Sequence, residues 1–276
     1  MPTFGTYGVV DGGPAPISGD HAELREEIAV RGYGALPSLL DGETVDHLKA
    51  VMDEVYARQC EEVGGEAALA AMNDADIVRC LLAYSDDYMA LATHPTVLAV
   101  VRAVLGDNVV LLMQNGIINR PTREQFQTNW HRDLNYQHWV CSQPLAISAL
   151  VCLEDFNSET GGTVFLPGSH LVERFPSQAI VQQGEVTPDL PRGSVIFFNS
   201  MAFHRAGVNR SNRVRRAVNH VFGVPILAQQ VDIPAMLNRE PPEDPWLQGF
   251  LGYRWNPTRN VAEWRRQRIA QATRRA

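Results

Sequence analysis

Lysine is almost missing from this chain: Lys49 is the only one in 276 residues, and arginine carries nearly all the positive charge. That bias reads as the codon usage of a GC-rich genome before it reads as a phosphate-binding surface. There is no basic excess either. The formal net charge is −7, with a pI near 5.6, which argues against nucleic acid, whose binders carry a basic footprint. Cysteine is scarce. Cys60, Cys80, Cys141 and Cys152 include no CxxC pair, so a disulfide framework is not expected and a reducing, cytoplasmic setting is. Cys141 and Cys152 lie in or beside apolar runs and are expected as buried thiols. No apolar run approaches the length of a membrane span, and the Gly- and Pro-rich stretch 1–17 has no apolar signal core. What remains, 45% hydrophobic and 20% charged residues, is ordinary globular composition.

The first hundred residues have helical texture. After an arm over residues 1–19, Asp20–Arg31 has helical spacing with Asp20 as N-cap, RGYGALPSLL suggests a short strand, and Asp41–Cys60 is a second amphipathic helix. His94–Leu105 is a third, with Pro95 suited to its first turn. The texture then changes to short apolar or β-branched runs between Gly, Pro and Asn: Val109–Met113, Ile117–Asn119, Ala146–Leu153, Thr163–Leu166, Ser194–Phe198 and Ala217–Val224. Runs of that length predict strands. Val261–Arg275 closes as an Arg-rich helix. The expectation is one domain over 1–276, mainly β with flanking helices. A mostly helical part spans 20–105, an antiparallel core 106–225 and a C-terminal extension 226–276.

Candidate chemistry starts at Trp130-His131-Arg132-Asp133. His-x-Asp alone is a spacing that chance supplies often. If the segment is extended, His131 and Asp133 share a face, because strand side chains alternate. A second histidine, His204, follows the apolar run Val195–Phe198 through a turn. Two histidines and one carboxylate form the facial set that binds non-haem iron(II) and leaves coordination positions open. After His204 come Arg210, Arg213, Arg215 and Arg216, any of which offers a two-pronged bond to a carboxylate. Arg215 and Arg216 open a strand, so alternation sends only one of them inward.

These pieces resemble the phytanoyl-CoA-dioxygenase-like (PhyH) family of iron(II)- and 2-oxoglutarate-dependent oxygenases. GYGALPSLLDGETVDHLK is similar to its N-terminal opening, WHRDLNYQHW to its His-x-Asp block, GGTVFLPGSH to its Gly-rich turn, and HRAGVNRSNRVRRA to its distal-histidine block. The resemblance runs over roughly residues 22–225, with the motifs in the family's order. It implies a double-stranded β-helix, a cupin-like jelly roll, with His131, Asp133 and His204 as metal ligands. The family places its 2-oxoglutarate arginine eleven residues after the distal histidine, which falls on Arg215. It also implies co-substrate roles for Gln114 and Thr163 and a basic residue, Arg79, near the site. His138 and His170 are not ligands in its pattern; His170 is expected to support a turn and His138 to face the substrate or the core.

The implied reaction couples decarboxylation of 2-oxoglutarate to oxidation of an unactivated C–H bond by dioxygen. Hydroxylation is the default, with desaturation or oxidative cyclisation as variants. Halogenating relatives lack the carboxylate ligand, so an intact Asp133 implies oxygen transfer or dehydrogenation. The implied partner is a small molecule, with neither nucleic acid nor membrane. A tailoring enzyme of natural-product biosynthesis, with a sugar-containing substrate among the options, is the leading expectation. Expected substrate contacts are 62–78, Tyr136–Trp139, and Trp246, Phe250, Tyr253 and Trp255, the last four equally readable as packing. Two other classes compete: a cupin-like metalloenzyme that does not use 2-oxoglutarate, needing the triad but not Arg215, and a non-catalytic jelly-roll binding module.

Overall fold

Apolar spacing and end signals place the first helices. In the computed structural model, which describes residues 17–122, 126–255 and 257–273, α1 is Ala22–Arg31, β1 is Tyr33–Leu36 and α2 is Gly42–Glu62. Asp41 caps α2: its carboxylate accepts from the Thr44 amide at 2.8 Å, satisfying a donor that the first turn leaves open. Asp20 does not do the same for α1. The chain enters that helix through His21, left-handed at φ 56° and without a side-chain cap, so Asp20 lies outside the capping position. Then come α3 (Glu66–Ala71), β2 (Ile77–Arg79), α4 (Asp86–Ala92) and α5 (Pro95–Leu105), with Pro95 in the first turn of α5.

The strand-rich part contains β3 (Val110–Asn119), β4 (Ala146–Cys152), β5 (Thr163–Phe165), α6 (Gln178–Gly184), β6 (Val195–Asn199), β7 (His204–Ala206) and β8 (Arg215–Gly223). The runs Val109–Met113 and Ile117–Asn119 are one strand, β3, continued through Gly116. A Cβ on Gly116 would lie 3.0–3.1 Å from Met52, Leu81 and Val78, so the glycine lets the helical layer approach the strand. The tail adds α7 (Ile233–Leu237), α8 (Pro245–Phe250) and α9 (Val261–Thr273). Most of the expected arm (1–16) and the end of the expected last helix (274–275) lie outside the described residues. Among those described, no single helix is long and apolar enough to cross a membrane.

All strand pairs are antiparallel. One sheet has the order β1-β6-β4-β8-β3-β2, and β5 pairs with β7 in a second. Phe165 of β5 packs onto Leu150, Ile196, Phe198 and Ala217 of the large sheet, which makes the two-layer core of a jelly roll. The other face of the large sheet, with Ile147, Ala149, Val151, Val218 and Phe222, packs under α1, α2, α4 and α5. β4 is buried along its whole length because both faces are covered.

A β-bulge between Leu111 and Met113 sets which residues of β3 face inward. It pairs Gln114 with His220 on the helical side and Asn115 with Asn219 on the inner side. Gln114, expected beside the co-substrate, therefore faces the helical layer. Its amide donates to Tyr88 O at 2.8 Å and lies 3.0 Å from His220 Nε2, while its oxygen accepts from the Leu82 amide at 2.7 Å.

Two tests follow from these contacts. Asp41→Ala should lower the melting temperature by a few degrees while Asp20→Ala leaves it unchanged, measured by thermal unfolding. The second concerns His220, whose buried ring is held neutral, its pKa pushed down by burial from 6.5 to about 4. Between those values the unfolded chain takes up a proton that the folded chain refuses, so stability falls as pH drops through this window. His220→Gln should flatten that part of the stability–pH curve in urea unfolding at pH 4–7; an unchanged acid loss would contradict it.

Candidate active site

The inner faces of both sheets border a cavity of about 620 Å³, lined among others by His131, Asp133, His204, Thr163, Arg215 and Arg79. His204 begins β7. His131 lies in the loop before β4, and the two histidines exchange backbone hydrogen bonds, each amide to the other's carbonyl at 3.0 Å. Asp133 N donates to Ser200 O at 3.0 Å. The extended stretch 131–133 is thereby sewn to the segment leading into β7.

Side-chain bonds then aim the donors. His131 Nδ1 lies 2.8 Å from Asn129 O and His204 Nδ1 3.0 Å from Ala202 O. A carbonyl only accepts, so both Nδ1 atoms carry a proton, and in the neutral ring each Nε2 keeps a free lone pair. Asp133 Oδ2 accepts from Ser148 Oγ at 2.5 Å and Asn219 Nδ2 at 3.1 Å, leaving Oδ1 beside His204 Nε2 at 3.4 Å. One ligand atom from each of the three residues lies within 4.8 Å of the others. Burial alone would oppose the charge on Asp133, but the adjoining histidines and Ser148 hold its carboxyl well below the usual range. Burial and the facing His204 push His131 down to about 4, so it is neutral at neutral pH. For His204, burial is outweighed by Asp133, which raises its pKa. Nitrogen and carboxylate donors in this set suit iron(II).

Arg215 is 2% exposed, opens β8 and faces the cavity. Its guanidinium stacks 4.6 Å from the centre of the Phe156 ring and donates one N–H to Gly161 O, while Nε has no partner. Burial pushes its pKa down to about 10, so the group remains a cation at neutral pH. A buried cation with an open donor is a place for an anion. Arg216 points to the opposite face, where it pairs with Asp53 and Glu154. Gly161 is left-handed at φ 71°, and a Cβ there would meet Gly207 O at 2.6 Å. This tight turn puts the carbonyl on Arg215 and starts β5 with Thr163 on the cavity wall.

Arg79 also reaches the cavity, held by Asp74 in a short ion pair. Of the expected substrate contacts, Met72–Ala75 and Ile77 line the wall. The four tail aromatics do not: Phe250 is fully buried, stacked on Trp246 and against Phe222. Tyr136 and Trp139 are exposed, and the wall takes Asn135 instead. His138 is exposed, not in the core, and Cys141 is only partly buried. His170 props its turn against α1 through Ala29 O at 3.1 Å. Sequence reasoning passed over Ser148, Asn219 and Asn115. Asn219 was findable, since it lies four residues after Arg215 in the same strand and so on the same face. Ser148 had no signal inside an apolar run.

A family model, phytanoyl-CoA dioxygenase (PhyH), matches residues 29–217. The chain belongs to the phytanoyl-CoA dioxygenase family, and thus to the class of iron(II)- and 2-oxoglutarate-dependent dioxygenases. An uncharacterized protein of Mycobacterium tuberculosis, Rv1501, is 27% identical over 215 residues, covering 76% of this chain and 78% of that one. Among solved structures, the epimerase SnoN in complex with Fe3+, alpha-ketoglutarate and nogalamycin RO aligns with a TM-score of 0.59 and 22% identity, covering 80% of this chain and 90% of that one. HygX from Streptomyces hygroscopicus, with nickel and 2-oxoglutarate bound, gives 0.59 and 18% identity over 79% and 93%. At these identities the likeness to solved structures concerns the fold.

The donor geometry yields a direct test. His204→Ala should lose stoichiometric iron(II) binding in anaerobic equilibrium dialysis. Full iron occupancy in that variant would contradict a shared metal site.

Proposed function

We propose that this enzyme binds iron(II) through His131 Nε2, Asp133 Oδ1 and His204 Nε2, takes 2-oxoglutarate with its far carboxylate on Arg215, and oxidises a C–H bond of a neutral, polar small molecule. The observation that carries this reading is Arg215, a buried cation with an open donor on the wall that also carries the three metal-donor residues. Iron(II) with 2-oxoglutarate and dioxygen supplies the oxidising power, with succinate and carbon dioxide as by-products. The chain's own residues bind, orient and exclude water. Arg215 and Thr163 fix the co-substrate's far end, and Phe198, Leu150 and Ile117 keep that end of the cavity apolar.

The substrate class follows from the remaining wall. Beyond the triad it is rich in uncharged polar groups: Asn73, Asn115, Gln127, Asn135 and Gln230. Its other arginines are engaged. Arg79 pairs with Asp74, and Arg132 donates to the carbonyls of Met201, Ser169, Val172 and Glu173. Among the described residues, no cation on this wall is left for a phosphate-rich carrier such as an acyl-CoA. A hydroxyl-rich natural product, sugar-containing among the options, fits the amide-lined wall. The similarity in fold to SnoN, an epimerase from nogalamycin biosynthesis, agrees with a tailoring reaction. Hydroxylation is the default outcome, with desaturation or cyclisation set by how the substrate is held.

The test needs no substrate. Anaerobic addition of 2-oxoglutarate to the iron(II) protein should produce a weak visible charge-transfer band. Removing one partner of a buried charge pair costs roughly 3–5 kcal/mol. Arg215→Ala should therefore weaken 2-oxoglutarate binding by about two to three orders of magnitude while sparing iron. Arg216→Ala should not, since its side chain faces Asp53 and Glu154. Equal losses in both variants would reduce Arg215 to a member of a general positive field. A metal enzyme that does not use 2-oxoglutarate would bind iron(II) yet show no band.

A further inference from the structure

We propose that Ser148 and Asn219 are positioning residues that hold Asp133 so that only its Oδ1 is offered to the metal. The inference rests on the iron-site reading above and deepens it. The directions of the bonds follow from chemistry alone. An ionised carboxylate only accepts, so Ser148 must spend its single proton on Asp133 Oδ2. Ser148 Oγ also lies 2.9 Å from Ser200 Oγ. With its proton spent, Ser148 can only accept there, so Ser200 donates. The result is a one-way chain, Ser200 to Ser148 to Asp133.

Asn219 supplies the second bond to the same oxygen, at 3.1 Å. Its amide orientation is decided by the carboxylate, because the reverse orientation would set oxygen against oxygen. Two donors on Oδ2 occupy it and leave Oδ1 facing His204 Nε2. Ser200 closes the arrangement from the backbone: its carbonyl accepts from Asp133 N. Side chain and main chain of Asp133 are thus both referenced to the segment that leads into His204. Ser148 and Ser200 are fully buried, so water does not readily replace the serine bond if it is lost. A freed carboxylate can rotate, offer either oxygen, or chelate with both and occupy a position that the co-substrate needs.

Such bonds to a metal-ligating group change metal affinity by about 10- to 100-fold when removed. The experiment measures anaerobic iron(II) binding and the visible band of the iron(II)–2-oxoglutarate complex in the wild type, Asn219→Ala, Ser148→Ala, and Ser148→Thr. Each alanine variant should bind iron(II) about 10- to 100-fold more weakly and shift the wavelength of the band. Ser148→Thr, which keeps the hydroxyl, should restore wild-type affinity and band position relative to Ser148→Ala. Should Ser148→Ala fail to fold, Asn219→Ala decides the matter, because Asn219 lines the open cavity. Iron affinity within twofold of wild type and an unmoved band in a folded Asn219→Ala protein would overturn the proposal. Failure of the wild type itself to bind iron(II) would instead overturn the metal site.

Discussion

The site depends on one pairing: the exchange of backbone hydrogen bonds between His131 and His204. The two histidines come from distant parts of the chain, and neither their own strand nor their own loop would bring them together. The exchange sets their rings 4.3 Å apart, and Asp133 follows because Ser200 accepts its amide two residues along the same extended stretch. Arg132, between His131 and Asp133, points the other way. It spends its guanidinium on four carbonyls and stacks 3.9 Å from the centre of the Phe203 ring. Alternation along three residues thus separates a cavity-facing side from a clamping side.

Everything around that pairing serves to keep polar groups satisfied in a dry place. The Nδ1 atoms are spent on carbonyls, Asp133 Oδ2 on Ser148 and Asn219, and Gly161 O on Arg215. Among the groups left open are the two Nε2 atoms, Asp133 Oδ1, Arg215 Nε and Asn219 Oδ1. Buried polar groups are ordinarily paired, so a cavity wall where open groups converge is where ligands belong.

Much of this was legible in the sequence because it obeys period two. His131 and Asp133 share a side, Arg215 and Arg216 oppose each other, and the structure keeps both relations. The antiparallel β-core was legible from short apolar runs, and its jelly-roll form from the family resemblance. Gln114 was misread for a physical reason: the bulge at Leu111/Met113 changes the phase of β3, and no local residue preference advertises it. The gap QNG split β3 in two on paper because a buried glycine and two buried amides look like loop. Asp20 looked like a cap by residue type, but the left-handed His21 displaced it. The aromatic tail carried no periodic signal to tell packing from recognition; Phe250 is packed in the core, Trp255 is exposed, and none of the four aromatic residues lines the cavity.

The central claim is that three ligands and one arginine form a single iron(II) and 2-oxoglutarate site. A crystal grown anaerobically with both, measured with anomalous scattering at the iron edge, tests it most directly. The account predicts one strong peak bonded to His131 Nε2, His204 Nε2 and Asp133 Oδ1, with the far carboxylate of 2-oxoglutarate on Arg215. An iron peak elsewhere, or 2-oxoglutarate bound away from Arg215, would contradict it.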